Sequence, residues 1–211
     1  GLLTNLRYRF GLRGTEANFI GFEQNRDMAG LRHLSNLTNC IIKHQPVVID
    51  YHPFGKEVIQ WTIHPYYLKQ YNNRWYLLGY NPEFDDLSII PLDRIENVTY
   101  TEVTFKRNLD FNFDAYFRDI LGISIEKDKE VEHIRLKFSP QRLPYVISKP
   151  IHHTQKVEDA AEGIISLDLI PNKELVSELI WFRDDVEILS PESLREEIKE
   201  IIAKMYQKYF G

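Results

Sequence analysis

Two consecutive asparagines, Asn72-Asn73, separate the run Tyr66-Tyr67-Leu68-Lys69-Gln70-Tyr71 from the run Arg74-Trp75-Tyr76-Leu77-Leu78-Gly79-Tyr80. Asparagine tolerates the positive φ that a two-residue hairpin turn requires, and aromatic and aliphatic runs on either side favour strands. The pattern therefore predicts a β-hairpin with a fixed register. Tyr71 faces Arg74, Gln70 faces Trp75, Lys69 faces Tyr76, Leu68 faces Leu77 and Tyr67 faces Leu78. Side chains alternate along a strand and paired residues share a side, so the two faces separate. Leu68, Trp75 and Leu77 read as core. The other face carries Tyr67, Lys69, Tyr71, Arg74, Tyr76 and Tyr80. A face that meets only water has no need of such a density of rings and cations. Interleaved aromatic and basic groups suit a ligand that carries bases or phosphates.

The rest of the chain bounds this reading. At 211 residues, 43% hydrophobic and 13% aromatic, the sequence can build one large domain or two small ones. A single cysteine, Cys40, excludes an internal disulfide and fits a reducing cytoplasm. No apolar run approaches the roughly 20 residues of a membrane span, and no signal-peptide pattern opens the chain. The net charge of −5 disfavours a broad duplex-DNA footprint. The basic excess lies within residues 1–43, and the first residue is Gly1 rather than Met, so a preceding segment is expected.

Along the chain, residues 1–26 read as an extended lead-in. A helix follows from Asp27, its N-cap, through Leu31, Leu34, Leu37 and Ile41 to about Lys43, and Pro46 stops it. From Val47 to Thr104 the pattern is β: Val47–Tyr51, Glu57–Ile63, the hairpin, Leu87–Leu92 and Arg94–Val103. His52-Pro53-Phe54-Gly55-Lys56 supplies turn chemistry between the first two strands. Short strands with tight turns over this length predict a small SH3- or Sm-like barrel. A short helix is expected over Phe111–Ile120 and a charged linker over 124–130. A β-α-β-β-α-β order then follows: Val131–Phe138, Pro140–Ile147, Thr154–Val157, Ile164–Ile170, Asn172–Phe182 and Val186–Leu189. This is the ferredoxin-like pattern, although Pro144 is awkward within its first helix. A closing helix is expected with Ser190 as N-cap and Pro191 as its first residue. The predicted class is thus α+β, divided into a lead-in (1–45), a barrel with its trailing helix (46–123), a linker (124–130) and a ferredoxin-like unit with a C-terminal helix (131–211).

These residues resemble a known family. Trp75-Tyr76-Leu77 after the Asn-rich turn, His64-Pro65-Tyr66 upstream and Leu92-Asp93-Arg94-Ile95 downstream are similar to the WYL domain of bacterial regulators. Phe22-Glu23-Gln24-Asn25 and the helix through Ile41 resemble the segment that leads into that domain. Ile151-His152-His153-Thr154-Gln155 and Val186-Glu187-Ile188-Leu189-Ser190-Pro191 resemble the WCX extension that follows it. The resemblance runs from about Phe22 to Tyr209. It implies the effector-sensing and dimerisation portion of a homodimeric transcription regulator, whose winged-helix domain meets promoter DNA and precedes this chain. The implied effector is nucleic-acid-like: single-stranded DNA, a short oligonucleotide or a nucleotide. By match to the motif, the implied ligand contacts are His64, Tyr66, Tyr76 and Arg94, and the hairpin face adds Tyr67, Lys69 and Arg74. The register places Tyr66 on the core side, against the motif. Ser88 and Pro91 stand where many members carry further arginines, which favours a smaller ligand.

Each of these residues also has a plain structural reading. Arg94 has Asp93 or Glu96 within reach as an ion-pair partner, Tyr67 and Tyr76 are good strand residues, and Trp75 and Leu77 read as core. His152-His153 on a strand would point to opposite faces, so no metal site is expected. No phosphate-cradling Gly loop, GxSxG or paired catalytic constellation is present, so neither enzyme activity nor a cofactor is expected. Two other functions remain open at this point: a nucleic-acid-binding accessory module of a DNA-processing or defence system, and an interaction scaffold without a ligand.

Overall fold

A computed structural model of the protein describes residues 30–108 and 111–211. The lead-in over 1–26, the Asp27 cap and the Phe22–Asn25 block lie outside the described residues. The class is mixed α/β, with two antiparallel sheets.

Helix α1 (Leu31–Ile42) buries Leu37 and Cys40 against the first sheet. It ends in a left-handed residue, His44 at φ 51, with the Gln45 N–H returning to the Cys40 carbonyl at 2.8 Å. The chain has therefore left the helix before Pro46. The first sheet holds β1 (Val47–Tyr51), β2 (Ile59–Tyr71), β3 (Arg74–Asn81), β4 (Asp86–Pro91) and β5 (Ile95–Tyr100) in the order β4-β3-β2-β1-β5.

The two β runs expected at 57–63 and 64–71 form one strand, β2. Its first half pairs with β1 and its second half with β3, and the register slips between Pro65 and Tyr67. Proline has no N–H to give to a ladder, so the bulge falls where a hydrogen bond would be lost anyway. The hairpin has the predicted register from Tyr71↔Arg74 to Tyr67↔Leu78, with Asn72 and Asn73 at φ 47 and 59. The strand expected from Arg94 begins one residue later, because Leu92–Arg94 is a 3₁₀ turn.

Leu77, Ile63, Ile49, Val47, Ile90 and Leu92 form the core on the inner side of the first sheet, with Leu68 and Trp75 half-buried against it. The outer side of β2–β3–β4 is covered as well. Helix α2 (Phe113–Arg118), capped by the Asn112 side chain, closes over Leu78 with Phe113 and Ile123.

The second sheet follows the order β7-β8-β6-β9, built from β6 (Glu132–Phe138), β7 (Lys156–Asp159), β8 (Ile164–Leu169) and β9 (Val186–Ser190). Helices α3 (Leu143–Ser148) and α4 (Lys173–Trp181) follow β6 and β8 and enclose a core around Leu136, Phe138, Ile165, Leu167 and Leu179. Pro144 falls in the first turn of α3, where its missing N–H costs nothing. Helix α5 (Glu192–Phe210) starts one residue later than expected: Pro191 takes the N-cap position and no side chain caps the helix.

Segment 124–130 is tied to β4 of the first sheet and to the start of α4 in the second unit. The Ser124 hydroxyl and N–H donate to Glu174 at 3.0 and 3.2 Å, Lys127 pairs with Asp86, and Lys129 donates to the Pro171 carbonyl at 3.2 Å.

Candidate functional site

The seven candidate residues separate into three places. Tyr67, Lys69 and Tyr76 lie on the outer face of the hairpin as the register requires, but that face belongs to a second apolar cluster beneath α2. The Tyr67 ring stacks on Phe113 at 5.0 Å, and its hydroxyl donates to Asp114 at 2.9 Å. The Lys69 ammonium sits 4.3 Å from the Phe117 ring centre, and burial pushes its pKa down. The rings and the cation are thus matched by rings of the same chain. The expectation of an open ligand face here is corrected on that ground.

His64 and Tyr66 face the segment that follows β5. His64 is 4% exposed, and its Nδ1 accepts from the Lys106 N–H at 3.0 Å. Burial and the nearby Lys106 hold the imidazole below its ordinary value. The Tyr66 hydroxyl donates to the Lys106 carbonyl at 2.6 Å, and its ring meets Phe105 edge-on at 5.8 Å. The bulge after Pro65 turns Tyr66 to the outer cluster, so its expected core-side position is also corrected.

Arg74 and Arg94 do come together. They line a cleft of about 350 Å³ with His52, Pro53, Phe54, Gly55 and Asp93. Two elements place them. The β1–β2 turn, with Gly55 at φ 65, carries Phe54 into the open, where it is 77% exposed. The 3₁₀ turn is held from below by Leu92, 1% exposed, and from the side by α1. A Cβ on Gly30 would stand 2.6 Å from the Asp93 nitrogen, so only glycine lets the helix approach this closely. Arg32 donates to the Ile95 and Glu96 carbonyls at 3.2 and 2.9 Å, which fixes the chain just beyond Arg94.

The two arginines differ in their partners. Arg74 grips Asp93 with both ends of its fork, at 2.9 and 2.5 Å. Burial works to raise the Asp93 carboxyl, but the Arg74 guanidinium outweighs it and holds the group below its ordinary value. Arg94 has no carboxylate partner among the described residues. Its guanidinium carbon lies 3.4 Å from the Phe54 ring centre, and one terminal nitrogen is 3.4 Å from the Tyr51 hydroxyl. Its Nε is buried without a hydrogen-bond partner among the described residues. The pairing of Asp93 therefore goes to Arg74, across the hairpin, and not to its neighbour Arg94.

Phe54, His52 and Asp93 were not among the expected ligand residues. The signal was present in His52-Pro53-Phe54-Gly55-Lys56: a turn has no structural use for a large exposed ring. His152 and His153 sit in a turn and not on a strand, with ring centres 4.2 Å apart, and His152 bonds Thr154 at 2.9 Å. Among the described residues, no group of three or more His, Cys, Asp or Glu is placed to hold a metal, and no helix is long and apolar enough to cross a membrane.

The family model described as the WYL domain matches residues 32–100, and that described as the WCX domain matches residues 130–206. A curated relative, the uncharacterized HTH-type transcriptional regulator YobV of Bacillus subtilis, is 25% identical over 145 residues. That match covers 69% of this chain and 45% of the relative, so the chain spans less than half of the relative's length. Among solved structures, a CRISPR Cas-related protein aligns over 85% of this chain and 52% of its own, at 11% identity and TM-score 0.53, which is a likeness of fold. Proteasome accessory factor B/C of Arthrobacter aurescens aligns over 94% of this chain and 30% of its own, at 16% identity and TM-score 0.35.

Proposed function

Because this chain belongs to the WYL-domain proteins, with a WCX domain in series, we propose that it is the effector-sensing and dimerisation portion of a transcription regulator. The effector is nucleic-acid-like and binds in the cleft between the β1–β2 turn and the 3₁₀ turn. One observation carries this reading: Arg94 lies in an open cleft against a ring, and among the described residues its buried Nε has no hydrogen-bond partner and no carboxylate neutralises it. A charged group left in that state is a ready partner for an anion, and guanidinium binds phosphate with two bonds where ammonium offers a point charge.

The same reading assigns domains. Residues 46–123 form an SH3- or Sm-like barrel with its trailing helix, supported by the strand order and by the bend of β2 at Pro65. Residues 131–211 form a ferredoxin-like unit with a C-terminal helix, supported by the antiparallel order β7-β8-β6-β9 with helices after β6 and β8. Promoter DNA is met by a further domain of the HTH type named in the curated relative. The exposed Ile202, Met205, Tyr206, Tyr209 and Phe210 on the last turns of α5 support a homodimer contact.

The test is titration of labelled single-stranded oligonucleotides against the 211-residue chain and Arg94→Ala. The variant is expected to bind at least tenfold more weakly, since a hydrogen bond to a charged group contributes about 1.5–3 kcal/mol. Equal binding by the two proteins, or none by either, would remove the reading.

A further inference from the structure

The balance of charge and ring surface around the cleft says how large the ligand is. Three of its lining groups can carry positive charge. Arg74 is taken up by Asp93, and His52 is hydrogen-bonded to Glu96 at 2.9 Å. Arg94 alone of these lining groups has no carboxylate partner among the described residues. The cleft therefore offers compensation for one anionic group.

Ring surface leads away from that cation. The Arg94 guanidinium lies on Phe54 and beside the Tyr51 hydroxyl. Tyr51 stacks on Trp61 at 4.6 Å and 17°, and Trp61 meets Phe84 edge-on at 5.5 Å. Phe54 and Phe84 are 77% and 57% exposed, and the exposed Val58 and Ile59 lie close to Phe54 in the chain. Among the described residues, this surface has few free cations. Phe84 is flanked in the chain by Glu83 and Asp85, while Lys106 and Lys127 are engaged with Asp85 and Asp86. Lys56 in the β1–β2 turn does not line the cleft. The second and third phosphates of a strand lying along these rings would meet acidic groups. A volume of about 350 Å³ also lies at the small end of ligand pockets, which run from roughly 300 to 1,000 Å³.

We propose that the cleft takes one planar ring carrying one anionic group, a nucleoside monophosphate or a similar aryl phosphate, with the phosphate on Arg94 and the ring against Phe54. This rests on the effector reading above and narrows it from a strand to a single unit. The unit can be a free mononucleotide or the phosphorylated end of a strand, and in both cases one unit makes the contacts.

The experiment measures affinity of the 211-residue chain for thymidine 5′-monophosphate, for 5′-phosphorylated thymidylates of two, four and eight residues, and for phenyl phosphate, each at several salt concentrations. Affinity is expected to change by less than about threefold from one residue to eight. The slope of log K against log salt should stay shallow at every length, no steeper than the value of about −0.7 that a single contact gives on a strand. Arg94→Ala should weaken the mononucleotide and phenyl phosphate alike. Phe54→Ala, on an exposed turn where the fold is not at stake, should weaken both by roughly fivefold or more, the lower end of a base–aromatic stack. An affinity that climbs tenfold or more with length, with a slope several times steeper, would overturn the single-unit proposal and leave the nucleic-acid effector standing. Binding of phenyl phosphate without any nucleotide would remove the nucleic-acid reading and leave the aryl-anion site. No binding of any probe would remove both.

Discussion

The outer face of the β2–β3 hairpin and the cleft at the 3₁₀ turn are made of the same materials, aromatic rings beside cations, yet they end in opposite states. On the hairpin face, Tyr67 and Lys69 are met by Phe113 and Phe117 of α2, and Tyr76 belongs to the same cluster. In the cleft, Phe54 remains mostly exposed and Arg94 keeps an unpaired Nε. The difference lies in what the rest of the chain brings to each face. A cation over a ring inside a packed cluster is structural. The same pair at an open surface, with its charge uncompensated, is available to a partner from outside.

The largest effect that sharpens this contrast comes from Phe113, 7% exposed, stacked on Tyr67 and met edge-on by Phe111. Phe113→Ala should cost about 3 kcal/mol of stability, the usual size for a buried phenylalanine. Chemical denaturation measures this. The affinity of the protein that remains folded should match wild type. An unchanged midpoint with altered affinity would return the ligand to the hairpin face.

A smaller effect tests the cation directly. Burial disfavours the charged form of Lys69, so Lys69→Met removes a penalised charge as well as a cation–π contact of about 0.5–1 kcal/mol. The two changes oppose each other, and stability should move by no more than about 0.5 kcal/mol. The salt dependence of ligand binding should not move. A slope shallower by about 0.7 in the variant would mean that Lys69 does meet a phosphate.

How much of this was legible in the sequence follows from the range of the forces involved. The hairpin register was legible because Asn72-Asn73 fixes a local turn and side chains alternate strictly from there. The second unit's element order was legible for the same local reasons; the Asn172 side chain, read as the first helical residue, instead caps α4 at the Leu175 N–H. The Tyr66 error came from carrying that alternation one residue too far, onto the unpaired residue of the bulge between Pro65 and Tyr67. The hairpin face was misjudged because its cover, Phe113 and Phe117, arrives from some 35 residues further on, and periodicity says nothing about which face a distant helix will choose. The motif singled out Arg94, which lines the cleft. Its difference from Arg74 depends on Asp93 reaching across to the hairpin, a contact 19 residues away in sequence.

The finest distinction between the two regions is in their response to pH, and His64 is the probe. It belonged to the expected ligand set, yet it packs against Tyr80 and Phe105 and accepts the Lys106 N–H, a bond that only the neutral ring can make. Burial, with the Lys106 charge acting in the same direction, lowers its folded-state pKa below the ordinary value of 6.5. In the unfolded chain the ring takes up a proton near pH 6.5, and in the folded protein it does so only at lower pH. Its contribution to stability is therefore complete above about pH 6.5 and is lost as the pH falls toward the lowered folded value. His64→Gln keeps an acceptor for the Lys106 N–H and removes the titration. Denaturation midpoints of wild type and variant should converge as the pH is lowered from about 7.5 to 5.5, because the wild type loses a term that the variant never had. If His64 instead met the ligand's phosphate as an imidazolium, affinity would rise over the same interval in wild type alone. Affinities that run parallel in the two proteins would keep His64 with the packed face and leave the anion to Arg94.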